Sequence, residues 1–341
     1  MGVSGPKLSR LFLPDCTWSP GLTEILQLNL LSPITLAFAL GILARIVRSE
    51  FSLPKDVYAG LGIYLLFALG LKGGVELAKV PLGGIMLPLL VTLLLGCIRP
   101  LTSYVVLRRL ARFGPVDSAG IAAHYGSVSA VTFIAALTFL DGVGEDVEGY
   151  LPTLLALLES PGIHIALAIG ALKSSDRSQP MGEVLHEVLT GRTMVLLVGG
   201  LVVGYVMAPG TWEQVELFYD GAIFKGALCL FLLEMGVVAG ERLSDLKRTG
   251  LKLLVFGVGM AVVHGVLGVA AGLAAGLSIG GATVLGAMSA SASYIAAPPA
   301  VRMTLPEANP TLSLTASLAI TFPFNIVLGI PLYYQIALWL S

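Results

Sequence analysis

The sequence predicts an all-α integral membrane protein with ten transmembrane helices, arranged as two inverted five-helix repeats with discontinuous helices in the fourth and ninth spans. Composition, the distribution of basic residues between loops and a repeated serine pattern support this fold class. Of 341 residues, 56% are hydrophobic and 12% are charged, with a mean hydropathy of +0.89. Because soluble domains carry about 25% charged residues, the composition excludes a soluble globular domain. The net charge of −1 gives no indication of a nucleic-acid partner.

Apolar runs of about 20 residues recur from residue 30 to the end of the chain, which is the length needed to cross a bilayer. Residues 1–27 contain two basic side chains but no apolar stretch long enough for a signal peptide, so we predict an interfacial or poorly ordered N-terminal arm. The ten predicted spans are residues 29–48, 54–77, 82–107, 116–140, 149–173, 192–208, 219–242, 250–277, 279–301 and 312–340.

Lysine and arginine are concentrated in alternate loops. The first, third, fifth and seventh loops each hold three or more of them, and the ninth holds Arg302. The second loop holds Lys79, and the other even-numbered loops hold none. Loops rich in lysine and arginine stay in the cytoplasm. The pattern therefore predicts a multi-pass protein of the bacterial inner membrane, with the odd-numbered loops in the cytoplasm and both termini outside.

The longest polar connection follows the fifth span and divides the chain into a first repeat (28–173), a cytoplasmic linker (174–191) and a second repeat (192–341). An odd number of spans per half means that the second half crosses the membrane in the opposite sense. A shift of 162 residues places SVSA (127–130) on SASA (289–292) and Pro161 on Pro323, while a shift of 164 places LFALGL (66–71) on LFLLEM (230–235). Inverted repeats are a common plan of secondary transporters, which bind substrate and ions where the repeats meet.

Serine recurs at every second position in SASASYIAAPP, residues 289–299. Residues two apart share a side in an extended segment but not in a helix. Pro298 and Pro299 lack the N–H groups that would bond the carbonyls of Tyr294 and Ile295. An unpaired polar group in hydrocarbon costs several kcal/mol, so these carbonyls need another partner, such as a sodium ion or a water. We therefore predict that the ninth span is broken and that its break is a binding site.

Small hydroxyl residues of both repeats form the predicted anion site. The N-termini of the half-helices that follow the breaks could hold an anion with backbone N–H groups and hydroxyls. The fourth span has the same hydroxyl pattern beside Gly126 but lacks a proline pair. The alternative is that these serines allow tight packing or bond their own backbone. The predicted substrate ligands are Ser127, Ser129, Thr132, Ser289, Ser291 and Ser293.

Glu159 lies in the middle of the fifth span, two residues before Pro161. An acid inside the membrane indicates a functional site, here a sodium ligand, a proton carrier or one half of an ion pair. Its repeat mate is Thr321, and Asn325 lies one helical turn further on. Sodium prefers such oxygen ligands. The predicted metal ligands are Glu159, Ser293, Tyr294, Thr321 and Asn325.

Other polar residues in the spans have structural interpretations. Lys225 and Glu234 are predicted to pair with other helices, Arg99 to pair with an acid, and His124 and His264 to be core histidines. The sequence has no HExxH motif, P-loop or nucleophile elbow, so we predict neither an enzyme nor an organic cofactor.

The chain resembles the sodium-dependent bicarbonate permeases first characterised in cyanobacteria. The resemblance is strongest in YGSVSAVTFIAALTFL (125–140), ESPG (159–162) and SASYIAAPPAVRMTLPEANP (291–310). It implies inward bicarbonate transport driven by the sodium gradient, a core domain that moves against a gate domain, a homotrimer and a PII-like regulator on the cytoplasmic side. It also makes Ser129, Thr132, Ser291 and Ser293 ligands of substrate or ion.

Two positions depart from the cyanobacterial pattern. Tyr294 stands where those transporters have aspartate, and Val131 where they have serine or threonine. The chain therefore resembles a broader bacterial branch of the family. The functional hypothesis is Na+-coupled symport of a small anion, with bicarbonate as the first candidate. The alternatives are an H+-coupled or Na+-coupled permease for another small carboxylate, or a non-transporting membrane sensor or scaffold.

Overall fold

The structure, a computed structural model, describes residues 22–174, 181–208 and 210–341, and within these ranges it contains helices and connections but no β-strand. The α-helices are α1 (Leu22–Leu30), α2 (Pro33–Ile46), α3 (Lys55–Leu77), α4 (Leu82–Val106), α5 (Pro115–Gly126), α6 (Ala130–Val143), α7 (Leu151–Leu158), α8 (Pro161–Ala171), α9 (Met181–Thr190), α10 (Arg192–Val206), α11 (Glu216–Tyr219), α12 (Ala222–Thr249), α13 (Leu251–Ala274), α14 (Ile279–Ala290), α15 (Ala297–Thr304), α16 (Pro310–Leu314), α17 (Phe322–Phe324) and α18 (Ile330–Leu340). A π-helical turn, Leu107–Ala111, extends α4.

Two further π-helical segments, Thr315–Thr321 and Asn325–Gly329, join α16, α17 and α18 into one continuous span, Pro310–Leu340, which we call the terminal rod. Polar side chains and prolines set several helix starts. The Ser32 hydroxyl accepts from the Thr35 amide at the start of α2, and Ser278 does the same for Gly281 in α14. These contacts satisfy amide groups that the first helical turn leaves without a partner.

Seven helices of the described chain are long and apolar enough to cross a membrane, and two bent pairs raise the number to nine. The seven correspond to the predicted second, third, fourth, fifth, seventh, eighth and tenth spans. The first and sixth spans belong to the bent pairs, in which α1 meets α2 at 63° and α9 meets α10 at 58°. The predicted ninth span consists of two short helices, α14 and α15. Nine of the ten predicted spans therefore correspond to long helices or bent pairs, and the ninth, which was predicted to be broken, corresponds to two short helices.

The predicted N-terminal arm and linker lie only partly within the described residues. The last residues of the arm begin α1, where Asn29 donates to the backbone carbonyls of Ile326 and Val327 and ties α1 to the terminal rod. Residues 181–191 of the predicted linker form α9 and its connection to α10. Residues 1–21 of the predicted arm and residues 175–180 of the predicted linker lie outside the described residues.

Helices α2, α3, α10 and α12 form one group, the paired-helix group, in which α3 packs along α10 and α2 along α12. Glycines allow this close approach. A methyl group on Gly236 would lie 2.9 Å from the Gly41 Cα, and one on Gly200 would lie 3.0 Å from the Gly70 Cα. Small residues at such crossings are the usual basis of tight helix packing in membranes.

The two helix pairs use corresponding contacts. Gly74 of α3 packs against the carbonyl of Leu201 in α10, and Gly236 of α12 packs against the carbonyl of Phe38 in α2. Gly74 and Gly236 are 162 positions apart, and Phe38 and Leu201 are 163 apart. These contacts match at shifts of 162 and 163, close to the shift that aligns the serine motifs, whereas the shift predicted for this segment is 164.

The remaining membrane helices, α4 to α8 and α13 to α15, pack with the terminal rod into a second group, the core group. The large side chains Phe133 and Phe322 are fully buried or nearly so. Helix α9 bends away from α10, and its Val184 and Val188 lie in an apolar cluster with Ala297 and Ala300 of α15. The core group contains both serine motifs, so its folding decides where the candidate site lies.

Candidate functional site

The first serine motif interrupts the fourth span. Helix α5 ends at Gly126, α6 begins at Ala130, and Ser127 and Ser129 have extended backbone. The Ser129 hydroxyl accepts from the Thr132 amide at 3.1 Å and caps α6. Gly126 packs so closely on Gly162 that a methyl group on Gly126 would lie 2.6 Å from the Gly162 carbonyl. We call residues 127–129 the first break.

The second serine motif interrupts the predicted ninth span. Helix α14 ends at Ala290, and the first turn of α15 contains both prolines of the proline pair. The Ser293 hydroxyl accepts from the amides of Ala296 at 3.2 Å and Ala297 at 3.3 Å. The Ser293 amide donates to the His124 carbonyl at 2.8 Å and fixes the segment against α5. Residues 291–296 form the second break, and the prediction of interrupted helices is confirmed at both motifs.

The two breaks bond to each other. The Ser129 amide donates to the Ser291 hydroxyl at 2.9 Å, and the Ser129 hydroxyl donates to the Tyr294 hydroxyl at 3.2 Å. Ser129 and Ser291 are 162 positions apart, the shift that aligns the two motifs. The sequence correspondence between the motifs is therefore also a spatial contact.

Glu159 lies beside this contact, between α7 and α8. It is 2% exposed, and the Ser127 hydroxyl donates to its Oε2 at 3.3 Å. Pro161 starts α8 immediately afterwards, so the fifth span is interrupted as well. Glu159, Ser129, Ser293 and Tyr294 line a common cavity of about 30 Å³, which we call the inner cavity. Its volume suffices for about one water or one small cation.

A larger cavity of about 260 Å³ continues from the inner cavity and shares with it Glu159, Thr193, Ile295 and Ala296. Glu187 and Arg192 line its far part. Both belong to the fifth loop, which the charge pattern assigns to the cytoplasm. This entry cavity therefore runs from the predicted cytoplasmic edge to Glu159.

A separate cavity of about 330 Å³ lies at the opposite edge. It is lined by Lys72, Asp141, Glu148 and Lys225, among others, and by neither Glu159 nor any serine of the breaks. Ion pairs join Lys72 to Asp220 at 2.7 Å and Lys225 to Asp141 at 2.6 Å. The cavity that reaches Glu159 opens at the predicted cytoplasmic edge, and the cavity at the opposite edge is lined by none of the serines of the breaks.

The predicted ligands fall into two sets. Glu159, Ser129, Ser293 and Tyr294 meet at the inner cavity, and Ser127 and Ser291 bond to members of that set. Thr132, Ser289, Thr321 and Asn325 are buried outside the lining of both cavities.

Protein groups already engage two of the outlying residues. Thr321 donates to the Gly257 carbonyl at 3.0 Å and shares a 2.6 Å hydrogen bond with Tyr125. Asn325 donates to the Ala290 carbonyl at 3.1 Å and accepts from Tyr333 at 3.0 Å. In this conformation both residues support the helices around the second break, and Glu159 is separated from them.

The oxygen atoms at the inner cavity suit a monovalent cation. A carboxylate from Glu159 and hydroxyls from Ser129 and Ser293 are hard donors of the kind that alkali and alkaline-earth ions prefer. Across the described ranges, no group of three or more His, Cys, Asp or Glu residues could hold a metal ion. The donor set therefore does not fit a zinc-type site.

Arg99 in α4 is the residue whose role the sequence interpretation missed. It is fully buried, and its Nη2 donates to the carbonyls of Ser127 at 2.8 Å and Ser291 at 2.9 Å. The expected pairing with an acid is wrong for the described part of the chain, because backbone carbonyls take its place. An arginine in the middle of an apolar span was the available signal.

The other polar residues of the spans have structural contacts. Lys225 pairs with Asp141 of another helix, as expected, and Glu234 accepts from the Leu53 amide at 2.7 Å. His124 bonds the Gly120 carbonyl at 2.8 Å, and His264 bonds the Thr102 hydroxyl at 2.8 Å. Both histidines are buried in the core group.

Comparison with known proteins agrees with the geometry. The family model of the Na+-dependent bicarbonate transporter superfamily matches residues 33–338, from the start of α2 into α18. No protein in the curated collection matches the chain. The matched region includes both breaks, Glu159 and Arg99. The chain belongs to the Na+-dependent bicarbonate transporter superfamily.

Proposed function

We propose that the protein is a secondary active transporter that couples the entry of sodium to the entry of a small anion, with bicarbonate as the first candidate. The observation that carries the proposal is the inner cavity, where two interrupted helices and Glu159 meet and which continues into the entry cavity. Transporters of this class bind solutes at such helix breaks. Membership of a transporter family implies transport rather than enzymatic catalysis.

Sodium is assigned to the inner cavity. Its ligands would come from the Glu159 carboxylate, the Ser129 and Ser293 hydroxyls and the backbone around Tyr294. Within the described residues, the Glu159 carboxylate has one hydrogen-bond donor, the Ser127 hydroxyl, so a bound cation would complete the hydrogen-bonding and charge requirements of a buried carboxylate. This assignment leaves Thr321 and Asn325 in supporting roles.

The anion is assigned to the space between the N-termini of α6 and α15. Both helices begin at the breaks, and the partial positive charge of a helix N-terminus favours an anion. A volume of about 30 Å³ is too small for sodium and bicarbonate together. The breaks and the paired-helix group would therefore separate when the anion binds.

Alternating access would arise from movement of the core group against the paired-helix group. The corresponding glycine contacts of α3 with α10 and of α2 with α12 support two inverted five-helix repeats. The proposed architecture has ten spans when α14 and α15 are counted together as one broken span. With both termini outside, the entry cavity would face the cytoplasm of a bacterial cell. A homotrimer and a PII-like regulator stay predictions from the resemblance.

Transport by purified protein in liposomes tests the proposal. We expect uptake of labelled bicarbonate that rises with an inward sodium gradient and disappears when choline replaces sodium. Glu159→Gln should abolish this uptake, whereas Glu187→Gln, which alters an exposed acid of the entry cavity, should retain most of it. Uptake that ignores the sodium gradient would contradict the coupling, and absence of any anion uptake would favour a sensor or scaffold.

Proton coupling is a second candidate because Glu159 is buried and, among the described residues, only the Ser127 hydroxyl bonds it, as suits a carboxylate that binds and releases a proton. In that case a pH gradient should drive uptake of bicarbonate or another small carboxylate without sodium. Glu159→Gln should abolish the pH-driven flux, and adding sodium should change nothing.

A further inference from the structure

Arg99 is a fully buried cation in the core group, at the point where the two breaks cross. A buried guanidinium is costly in a membrane protein unless nearby groups compensate its charge. The carbonyl of Ser127 and the carbonyl of Ser291 accept from the same nitrogen, Nη2. Arg99 therefore links the two breaks from the side away from the cavities, because it lines neither the inner cavity nor the entry cavity.

Both acceptor carbonyls lie at the C-terminus of a helix. Ser127 is the C-terminal cap of α5, and Ser291 is the C-terminal cap of α14. The C-terminus of a helix carries a partial negative charge and carbonyls without helical partners. Two such ends pointing at one position form a site for a monovalent cation. The Arg99 guanidinium already fills this position.

The charge of Arg99 is not cancelled by a direct ion pair within the described residues. Its Nε and Nη1 are buried without a protein partner there. The connection to Glu159 is indirect, because Ser127 gives its carbonyl to Arg99 and its hydroxyl to Glu159. The positive charge therefore persists on one side of the breaks while the carboxylate lies on the other.

We propose that Arg99 acts as a permanently bound cation, which we call the resident cation. It holds the carbonyls of the two breaks together, and it places one fixed positive charge on the far side of the proposed anion site, where an exchangeable cation would otherwise be needed. The statement about the anion rests on the proposed function, whereas the statement about the breaks does not. Arg99 acts through the breaks, so it is a positioning residue. An exchangeable sodium ion would then bind only on the Glu159 side.

Thermal unfolding of the purified protein in sodium-free choline buffer tests the role at the breaks. Arg99→Met keeps most of the apolar length but loses the charge, so we expect a clearly lower unfolding temperature than in the wild type. Arg99→Lys keeps the charge and should recover most of that loss. Arg109→Met, at an exposed position in the π-helical extension of α4, is the matched control and should unfold like the wild type.

Chemical rescue separates charge from packing. In Arg99→Ala, guanidinium at low millimolar concentration should restore part of the lost stability, whereas tetramethylammonium, which has no N–H donors, should not. Stability equal to the wild type in Arg99→Met, or no response of folded Arg99→Ala to guanidinium, would overturn the resident-cation assignment.

Bicarbonate-induced stabilisation, measured with sodium present, tests the anion part. We expect Arg99→Met to bind bicarbonate about ten-fold more weakly or worse, and Arg99→Lys to bind it nearly as well as the wild type. Equal affinity in Arg99→Met would overturn this part. A wild type that responds to neither sodium nor bicarbonate would instead refute the proposed function, and the unfolding and rescue results would still decide the role at the breaks.

If Arg99→Met and Arg99→Ala do not fold, measurements on the wild-type protein test the inference instead. We expect bicarbonate to stabilise it weakly even in choline buffer, because the fixed charge remains when sodium is absent. Stabilisation that appears with sodium and vanishes completely without it would overturn the inference.

Discussion

The first and second breaks share their chemistry but differ in shape. A serine hydroxyl caps the helix that follows each break, and a carbonyl of each accepts from Arg99. The first break is three residues long and leaves α5 and α6 within one span, Pro115–Val143. The second is six residues long and leaves two short helices, α14 and α15.

The two breaks also differ in how deeply their residues are buried. All three residues of the first break are buried, and Gly162 fixes it by backbone contact. The second break contains Ile295, which is 46% exposed, and it is followed by the proline pair. Prolines keep α15 from extending into the break, and residues 294–296 at its end are exposed or only partly buried. We infer that the first break is the rigid support of the site and that the second one moves during transport.

Gly126→Ala should cause the largest loss of stability among these variants, because Gly126 packs the start of the first break against Gly162. Its methyl group would lie 2.6 Å from the Gly162 carbonyl, and backbone atoms on both sides cannot move aside like a flexible side chain. We expect a cost of about 3 kcal/mol in the free energy of unfolding. Gly142→Ala in α6 has no atom within 4 Å and should be neutral or stabilising in the same chemical-unfolding measurement. Equal stability of the two variants would show that the first break is not rigid.

Replacing both Pro298 and Pro299 by alanine tests the second break. The restored N–H groups would let α15 extend towards Ser293 and shorten the mobile segment. We expect sodium-driven uptake to fall by about ten-fold, which is about 1.4 kcal/mol in the barrier, without loss of thermal stability. Pro310→Ala, at the start of α16, offers a control because no break precedes that helix. Unchanged uptake in the double variant would contradict a moving second break.

Tyr294→Asp tests whether sodium binds in the inner cavity. A second carboxylate beside Glu159 repels it unless a cation binds between them. We expect lower stability than the wild type in choline buffer, recovery in sodium and an increase of about ten-fold in apparent sodium affinity. Tyr294→Phe removes only the hydroxyl that accepts from Ser129, so its sodium response should match the wild type. A thermal-shift titration with sodium distinguishes the two variants.

Ser129→Ala and Ser293→Ala should lower stability less than Gly126→Ala. Each removes the hydroxyl that caps the helix after its break, which costs about 1 kcal/mol. Ser129→Ala also removes the donor to Tyr294, so it should cost more than Ser293→Ala. Chemical unfolding of both variants checks the order. A larger cost for Ser293→Ala would reverse the assignment of the rigid break.

The sequence was sufficient for the breaks because their causes are local. Alternate serines and adjacent prolines oppose a continuous helix wherever they occur, and the expected interruptions lie at Ser127–Ser129 and near Ser291. Glu159 could be selected for the same kind of reason, since a carboxylate in an apolar span needs a partner. The selection of Thr321 and Asn325 depended on the repeat alone, and in the structure Gly257, Ala290 and Tyr333 engage them.

The apolar helices, the alternation of basic loops and the positions at which helices stop could be predicted from the sequence, because these follow from composition and from backbone chemistry within a few residues. The bond between Ser129 and Ser291, and the bonds of Arg99 to two carbonyls rather than to an acid, could be found only in the folded protein. Contacts between residues 162 or 192 positions apart depend on how helices pack. A buried cation can be satisfied by any suitably placed oxygen, and the fold selects which one.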